Sequence, residues 1–355
     1  MKKFLIEDGI SIIDGTGPGQ YTLMVYSTLK NLGYDVELPR KKIIEKIKIT
    51  NFRRICYLVW LNLFFFLKLL FMPKGTIVIY TNYSIPFIKI KKITQIPVVH
   101  DLCSYIHPDT MTKIQNFYSR LATDNAIKNG DKIITVSKTV KEEIIRNFKI
   151  NADKVFVVNC TNTLGLEQQL NIKDSDILQR LKIANKDYLM SVSTFNKRKN
   201  VMTLIESFNS LNKDFSNLKL VLVGRDGNDA KIKAIKREND NIIFSGFVSD
   251  KELSILYKNA KLYIFPSIYE GFGIPIIDAQ AFGVPVLCSD IQVFREIAGE
   301  GAVFCEPFTE GIKKGLIELL NNQDMKEELI KKGFENVKRF SHEVIKEQLK
   351  KVLEI

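Results

Sequence analysis

At 355 residues the chain exceeds what one hydrophobic core usually organises, so two domains of ordinary size are expected. With 45% hydrophobic and 26% charged residues it is globular, which excludes a disordered or low-complexity protein. Its 52 lysines and arginines against 40 acids leave a net charge of +12, a surplus that favours anionic partners: nucleotide phosphates, lipid head groups or nucleic acid. Five cysteines, at 56, 103, 160, 288 and 305, are odd in number and form no CxxC pair, so neither a disulfide framework nor a zinc site is indicated, and a reducing cytosol fits.

The first residues, "MKKFLIEDGISIIDGTGPG", carry two lysines, but acids interrupt the apolar run and no small-residue cleavage site follows, so no signal peptide is read. Gly15, Gly17 and Gly19 then precede a helical pattern with GxGxG spacing, some ten residues past the start of the first strand. A dinucleotide fingerprint needs GxGxxG in a tight turn directly after the strand. A flexible loop reaching a ligand cleft fits better than that fingerprint, with a plain surface turn as the alternative.

Residues 40–54, "RKKIIEKIKITNFRR", hold seven basic residues and one acid, a composition suited to anionic head groups. The run at 55–72, "ICYLVWLNLFFFLKLLFM", would be about 27 Å long as a helix, near the lower limit for crossing a bilayer. A strand, "TIVIYT", begins only a few residues later, so a true span would cut through its own domain. A buried helix and a helix lying in the lipid interface are the other two readings. Asn62 and Lys68 do not share one helical face, which argues against a simple amphipathic stripe.

Short β-branched runs alternate with helical patterns through the first half: "KFLIEDGI", "YDVEL", "TIVIYT", "PVVHD", "KIITVS" and "KVFVVN". After the polar segment at 160–179 the rhythm restarts with "YLMSVST", "LKLVLVG", "NIIFSG", "KLYIFPS", "VPVLCSD" and "AVFCEP". The expected fold class is α/β, with two doubly wound Rossmann-like domains facing a cleft. The boundaries read as 1–165, 166–340 and a terminal helix at 341–355 that returns to the first domain.

In open parallel sheets, ligands gather beyond the carboxyl ends of the strands, so candidate chemistry is sought there. "PVVHDLCSYIHPD" delivers His100 and Asp101 from a strand end, and two of the three histidines, His100 and His107, lie in this loop. His100 suits a hydrogen bond to a sugar hydroxyl or help for an acceptor, with Asp101 orienting it or acting as base; a strand-end histidine bonded to backbone is the bland alternative. "SVSTFNKRKN" places Lys197, Arg198 and Lys199 just past another strand, where cations neutralise a departing diphosphate unless they form only a solvated turn.

"IYEGFGIPIIDAQAFG" runs from a strand into a glycine loop and then a helix opened by Pro275. Gly271 and Gly273 let backbone approach a ligand, and the first-turn amides of the helix suit phosphate. Glu270 in the loop and Asp278 one turn inside the helix suit hydroxyls at opposite ends of a phosphate-linked molecule, since carboxylates accept from vicinal diols. A glycine turn before a core helix, with solvated acids, is the alternative.

Together, Gly17 and Gly19, "HDL" at His100, "VSKTVKEEI", "RKN", "VGRDG", "GFVSDKEL" and "EGFGIPIID" resemble the family-4 glycosyltransferases, retaining enzymes of the GT-B fold. The resemblance implies transfer of a hexose or deoxyhexose from a nucleotide-diphosphate sugar to a glycan or lipid-linked acceptor in bacterial cell-surface polysaccharide synthesis. "HDLCSYIHPD" is most similar to mannosyl- and rhamnosyltransferases of that kind. By position, Glu270 takes the donor-sugar role, Asp278 the ribose role usually held by glutamate, and Arg198 and Lys199 the diphosphate role. Gly17, Gly19, Gly271, Phe272, Gly273 and Ile274 fall in the donor motifs.

The same resemblance implies no bound metal or other cofactor, while the composition of residues 40–72 points to a cytoplasmic protein that visits the inner membrane face and meets an anionic surface there, with no nucleic-acid partner expected. "DSD" at 174–176 mimics a metal motif but sits in the hinge rather than after a strand. A nucleotide-sugar epimerase of the same fold, and a non-enzymatic basic protein binding membrane or nucleic acid, are the competing classes. Basic and aromatic interleaving is confined to 40–72, which weakens the nucleic-acid version.

Overall fold

A computed structural model describes residues 3–9, 17–39, 44, 47, 50–164, 175–183, 187–211, 215, 217–224, 235 and 240–354, with backbone alone at 50, 51, 175 and 176. The chain divides into two compact units, Met1–Cys160 with His342–Ile355, and Thr161–Ser341.

The first unit holds β1 (Lys3–Glu7), α1 (Gly17–Asn31), β2 (Asp35–Glu37), α2 (Thr50–Val59), α3 (Phe66–Leu70), β3 (Ile77–Tyr80), β4 (Thr94–Val99), α4 (Lys113–Asn129), β5 (Ile133–Thr135), α5 (Lys138–Phe148) and β6 (Val155–Val157). Its strands pair in parallel in the order β2-β1-β3-β4-β5-β6. The strands read as unbroken apolar runs because helices cover both faces of a parallel sheet; all four residues of β3 are buried.

The second unit holds β7 (Tyr188–Val192), α6 (Val201–Asn209), β8 (Lys219–Val223), β9 (Ile242–Gly246), α7 (Asp250–Asn259), β10 (Leu262–Phe265), α8 (Ile274–Ala281), β11 (Val286–Ser289), α9 (Gln292–Ala298), β12 (Ala302–Cys305), α10 (Thr309–Asn321) and α11 (Gln323–Val337). Its parallel order is β12-β11-β10-β7-β8-β9. All twelve expected strand runs are strands, and both sheets are of the doubly wound kind.

Each order reverses direction at one place, between β1 and β3 in the first sheet and between β7 and β10 in the second. Loops leaving the strands on either side of such a reversal run apart and open a crevice at the carboxyl edge. That geometry selects the loops after β7 and β10, and those after β1 and β3, as the places to look for a site.

Helix ends are set locally. Ser249 and Glu252 form a reciprocal capping box at the start of α7, and Thr112 with Gln115 does the same for α4. The final helix, α12 (His342–Leu353), buries Ile345, Leu349, Val352 and Leu353 and belongs to the first unit. Gln348 accepts from the Asn159 amide at 2.8 Å and donates to the Asn159 side chain at 2.7 Å, while Lys132 donates to the Val352 carbonyl at 2.7 Å.

Residues 50–70 form one helical run in which a π turn at Trp60–Phe65 joins α2 to α3. Tyr57, Leu61, Phe65 and Leu69 are buried against Leu5, Val78 and Tyr80. Four-residue steps drift around a plain α-helix, and the wider i→i+5 turn holds these four on one face. Asn62 and Lys68, the two polar residues of the apolar run, are spent on protein partners: Asn62 accepts from the Phe87 amide at 2.9 Å and Lys68 pairs with Glu37. Among the described residues no helix is long and apolar enough to cross a membrane. The spanning reading of 55–72 is therefore set aside, because one face of this helix is core.

Candidate active site

At the β7/β10 reversal the two loops are tied backbone to backbone, the Ile268 amide donating to the Arg198 carbonyl at 3.0 Å. The first loop makes a 3-10 turn at Lys197–Lys199, capped by the Asn196 side chain, which accepts from the Lys199 amide at 3.2 Å. This turn aims two cations at the second loop. Arg198 Nη1 donates to Glu270 Oε2 at 2.8 Å and to the Tyr269 carbonyl at 2.8 Å. Lys199 Nζ donates to Glu270 Oε1 at 2.5 Å and lies 5.2 Å from the centre of the Phe265 ring.

Glu270 is buried, which alone would raise its carboxyl. The Lys199 and Arg198 charges outweigh that effect, with a further contribution from the Ser267 hydroxyl, and hold it down at about 2. The group is a carboxylate at neutral pH and only accepts hydrogen bonds.

Gly273 caps α8 with φ 123°, a conformation closed to other residues at acceptable strain, and a Cβ there would meet Phe294 and Ile276 at 3.2–3.3 Å. Pro275 lies in the first turn, as its fixed φ favours. The start of α8 has no side-chain cap, so no side chain offsets the positive end of its dipole. Gly271 is buried, and Ile274 is half-buried. The Phe272 ring is also buried and packs edge-on against Phe340 at 5.4 Å, so its side chain supports the loop from within.

Asp278 is placed differently from Glu270. It is buried, with Oδ1 accepting from the Thr163 amide at 2.9 Å and Oδ2 from the Thr163 hydroxyl at 3.1 Å. Burial pushes its carboxyl up to about 7, in spite of the bonds from Thr163 and the Leu164 amide. Thr163 lies 115 positions away and went unnoticed in the sequence, as did Phe265 beneath Lys199 and the Tyr269 carbonyl. Only Ser267, a small polar residue at a strand end, carried a signal that could have found it.

In the first unit, Thr81 at the end of β3 is the organiser. Its amide donates to the Glu7 carbonyl at 2.9 Å, its hydroxyl meets that of Thr22 at 2.6 Å, and its carbonyl lies 2.7 Å from His100 Nε2. Since a carbonyl only accepts, Nε2 carries the proton and Nδ1 is left as an acceptor. Burial lowers the His100 pKa, so the ring is neutral at pH 7. The Tyr21 ring meets it edge-on at 5.2 Å. Asp101 Oδ1 accepts from the Cys103 amide at 2.9 Å and thereby fixes the turn after His100.

Gly17 and Gly19 are not ahead of the helix as expected but in the first turn of α1, where a Cβ on Gly17 would meet open space. Gly15, Arg225 to Gly227 of "VGRDG" and Asp174 of "DSD" lie outside the described residues. Among the described residues no group of three or more His, Cys, Asp or Glu is placed to hold a metal ion.

Residues 173–336 match the family described as Glycosyl transferases group 1. The chain is 28% identical over 321 residues to the O-antigen chain mannosyltransferase RfbU of Salmonella typhimurium, covering 83% of this chain and 84% of that protein. It is 27% identical over 250 residues to O-antigen chain mannosyltransferase B of Escherichia coli, covering 69% of this chain and 66% of that one. In fold it is similar to the sucrose-phosphate synthase of Thermosynechococcus elongatus, with a TM-score of 0.74 and 17% identity over 100% of this chain and 98% of the other.

Proposed function

We propose, from the premise that residues 173–336 belong to the glycosyl transferases group 1 family, that the protein is a retaining, metal-independent glycosyltransferase. It moves a hexose or deoxyhexose from a nucleotide-diphosphate sugar to a glycan or lipid-linked acceptor in bacterial surface-polysaccharide synthesis. The observation that carries this reading is the Glu270 carboxylate held between Arg198 and Lys199 at the β7/β10 reversal.

An anionic diphosphate entering this loop competes with Glu270 for the two cations and finds the uncapped start of α8 beside them. Glu270, freed in part, then accepts hydrogen bonds from the donor's sugar hydroxyls. The bond from the anomeric carbon to the diphosphate oxygen breaks with its electron pair going to the diphosphate. The acceptor oxygen bonds to the same face of that carbon, and the acceptor's proton passes to the departing oxygen. Arg198, Lys199 and the helix amides stabilise the charge that develops there, which supplies much of the rate.

His100 contributes its Nδ1 lone pair to a sugar hydroxyl, with Asp101 fixing the turn that presents it. Gly17 and Gly19 leave room for substrate at the start of α1. Asp278 meets the ribose by sharing the lone pairs that Thr163 now occupies. The acceptor is taken at the cytoplasmic face of the membrane, where residues 40–72 meet an anionic surface.

The test is transfer by wild type and Glu270→Ala across a panel of nucleotide sugars, with donor binding followed by thermal shift and product configuration by NMR. Loss of transfer with the fold retained supports the site. Undiminished turnover in the variant removes it, and conversion of donor without acceptor points to an epimerase.

A further inference from the structure

Two faces of the helical run at 50–70 are apolar, and only one of them is used by the core. Phe52, Ile55, Val59, Leu63, Leu67 and Leu70 recur at three- and four-residue steps and are all exposed. Phe64 and Phe71 widen this stripe, Phe71 being 86% exposed. Solitary exposed apolar residues are ordinary, but a continuous stripe of this length marks a surface that something covers.

The stripe does not stand alone. The loop at 83–88 lies against this helix through the Phe87 amide on Asn62, and it ends in exposed Phe87 and Ile88. On its other side the loop is held by α4: Asn125 donates to the carbonyls of Ile85 and Pro86 at 2.9 and 3.3 Å, and the Tyr118 and Ser84 hydroxyls meet at 3.0 Å. Helix α4 carries its own outward stripe, with Ile114 84% and Phe117 72% exposed and Leu121 one turn on. Two helices and the loop between them thus present apolar side chains, although the sequence pattern had pointed only to residues 40–72.

Charge names the occupant. Between Glu45 and Asp101 the sequence has no acidic residue and nine lysines and arginines. Arg54, Lys74 and Lys91 are exposed on this stretch, as are Lys113 and Lys128 on α4. Phenylalanine and leucine bordered by cations, with acids excluded over so long a stretch, match the boundary between acyl chains and anionic head groups. A protein partner or a second copy would meet the same cations without that ready-made plane of opposite charge.

We infer that the exposed faces of α2–α3 and α4, with the 83–88 loop between them, form one platform that docks on an anionic lipid surface. This deepens the membrane partner named above and rests on that reading for its purpose. The apolar side chains enter the head-group boundary while the lysines and arginines stay at phosphate level, so the helices lie in the membrane plane rather than across it.

Flotation with phosphatidylglycerol–phosphatidylcholine vesicles, against phosphatidylcholine alone, tests the platform on the whole protein. Trp60, the single tryptophan, lies in the π turn of this helix and reports depth through quenching by bromine-labelled acyl chains. Expected are flotation with the anionic vesicles that weakens with salt, quenching of Trp60, and binding at least about tenfold weaker in a Phe64→Ser, Phe71→Ser, Phe117→Ser variant of unchanged melting temperature. The single variant Ile114→Ser, weakened in proportion, keeps the test open if the triple variant does not fold.

A wild-type protein that neither floats nor is quenched overturns the inference, as does a triple variant that floats equally well. Equal binding to neutral vesicles overturns the assignment to an anionic surface. A wild-type dimer made monomeric by the same substitutions, without flotation, assigns the face to a second copy instead. Flotation does not depend on turnover, so failure of sugar transfer and failure of docking are read separately.

Discussion

Arg198 Nη1 lies 2.8 Å from Glu270 Oε2 and 2.8 Å from the Tyr269 carbonyl, so one guanidinium fixes both the side chain and the backbone of the loop that follows β10. Lysine is a point charge and cannot hold two acceptors in one plane. Arg198→Lys should therefore weaken donor binding about tenfold or more although the charge is kept, as read by thermal-shift titration with the preferred nucleotide sugar.

Glu270→Gln keeps the size of the side chain and removes its charge. Transfer should fall by about a hundredfold to a thousandfold, measured as kcat at saturating donor. Acid stability should change as well. The folded carboxyl is depressed from 4.5 to about 2, so its contribution is fully present above about pH 4.5 and is lost as pH falls through 2. Denaturant melts between those limits should show a slope in wild type that the variant lacks.

Asp278 has the opposite sign. Its carboxyl is raised from 3.8 to about 7, so the folded state holds a proton there that the unfolded chain has lost, and stability declines as pH rises from about 4 to 7. Asp278→Asn should flatten that decline, whose ceiling is about 4 kcal/mol for three units. Urea melts of both proteins at pH 5 and pH 8 check it, and an unchanged difference between the two pH values would contradict the assignment.

Phe64 and Phe65 are neighbours with opposite exposure, 61% and 1%. Phe65→Ala should cost about 3–5 kcal/mol through the cavity it leaves. Phe64→Ala should stay within about 0.5 kcal/mol. Equal losses on chemical denaturation would mean that the helix is turned otherwise.

Gln348→Ala removes two hydrogen bonds between α12 and Asn159, one of them to the backbone amide. A loss of about 1–3 kcal/mol is expected on denaturation, with earlier hydrogen exchange at Asn159 than in wild type.

The strands were legible because residues in a doubly covered parallel sheet are apolar on both faces, and "TIVIYT" or "KLYIFPS" bounded by turns admits little else. The meeting of Arg198, Lys199 and Glu270 was legible from their place just past strand ends. What stayed hidden needed distance or shape. Thr163 finds Asp278 only once the chain has folded, and no local pattern marks a pair 115 positions apart. The helix at 50–70 was ambiguous for a different reason: when both faces are apolar, hydropathy does not say which one the core takes. Its π turn, which settles that face, has no signature in "WLNLFF".

The second unit is continuous in sequence, whereas the first is completed only by α12. During synthesis, Thr161–Ser341 has all its strands before the helix that covers Asn159 and Lys132 has left the ribosome. The part of the protein made first is therefore finished last, and nascent chains arrested before His342 would carry a complete second unit and a first unit still lacking α12.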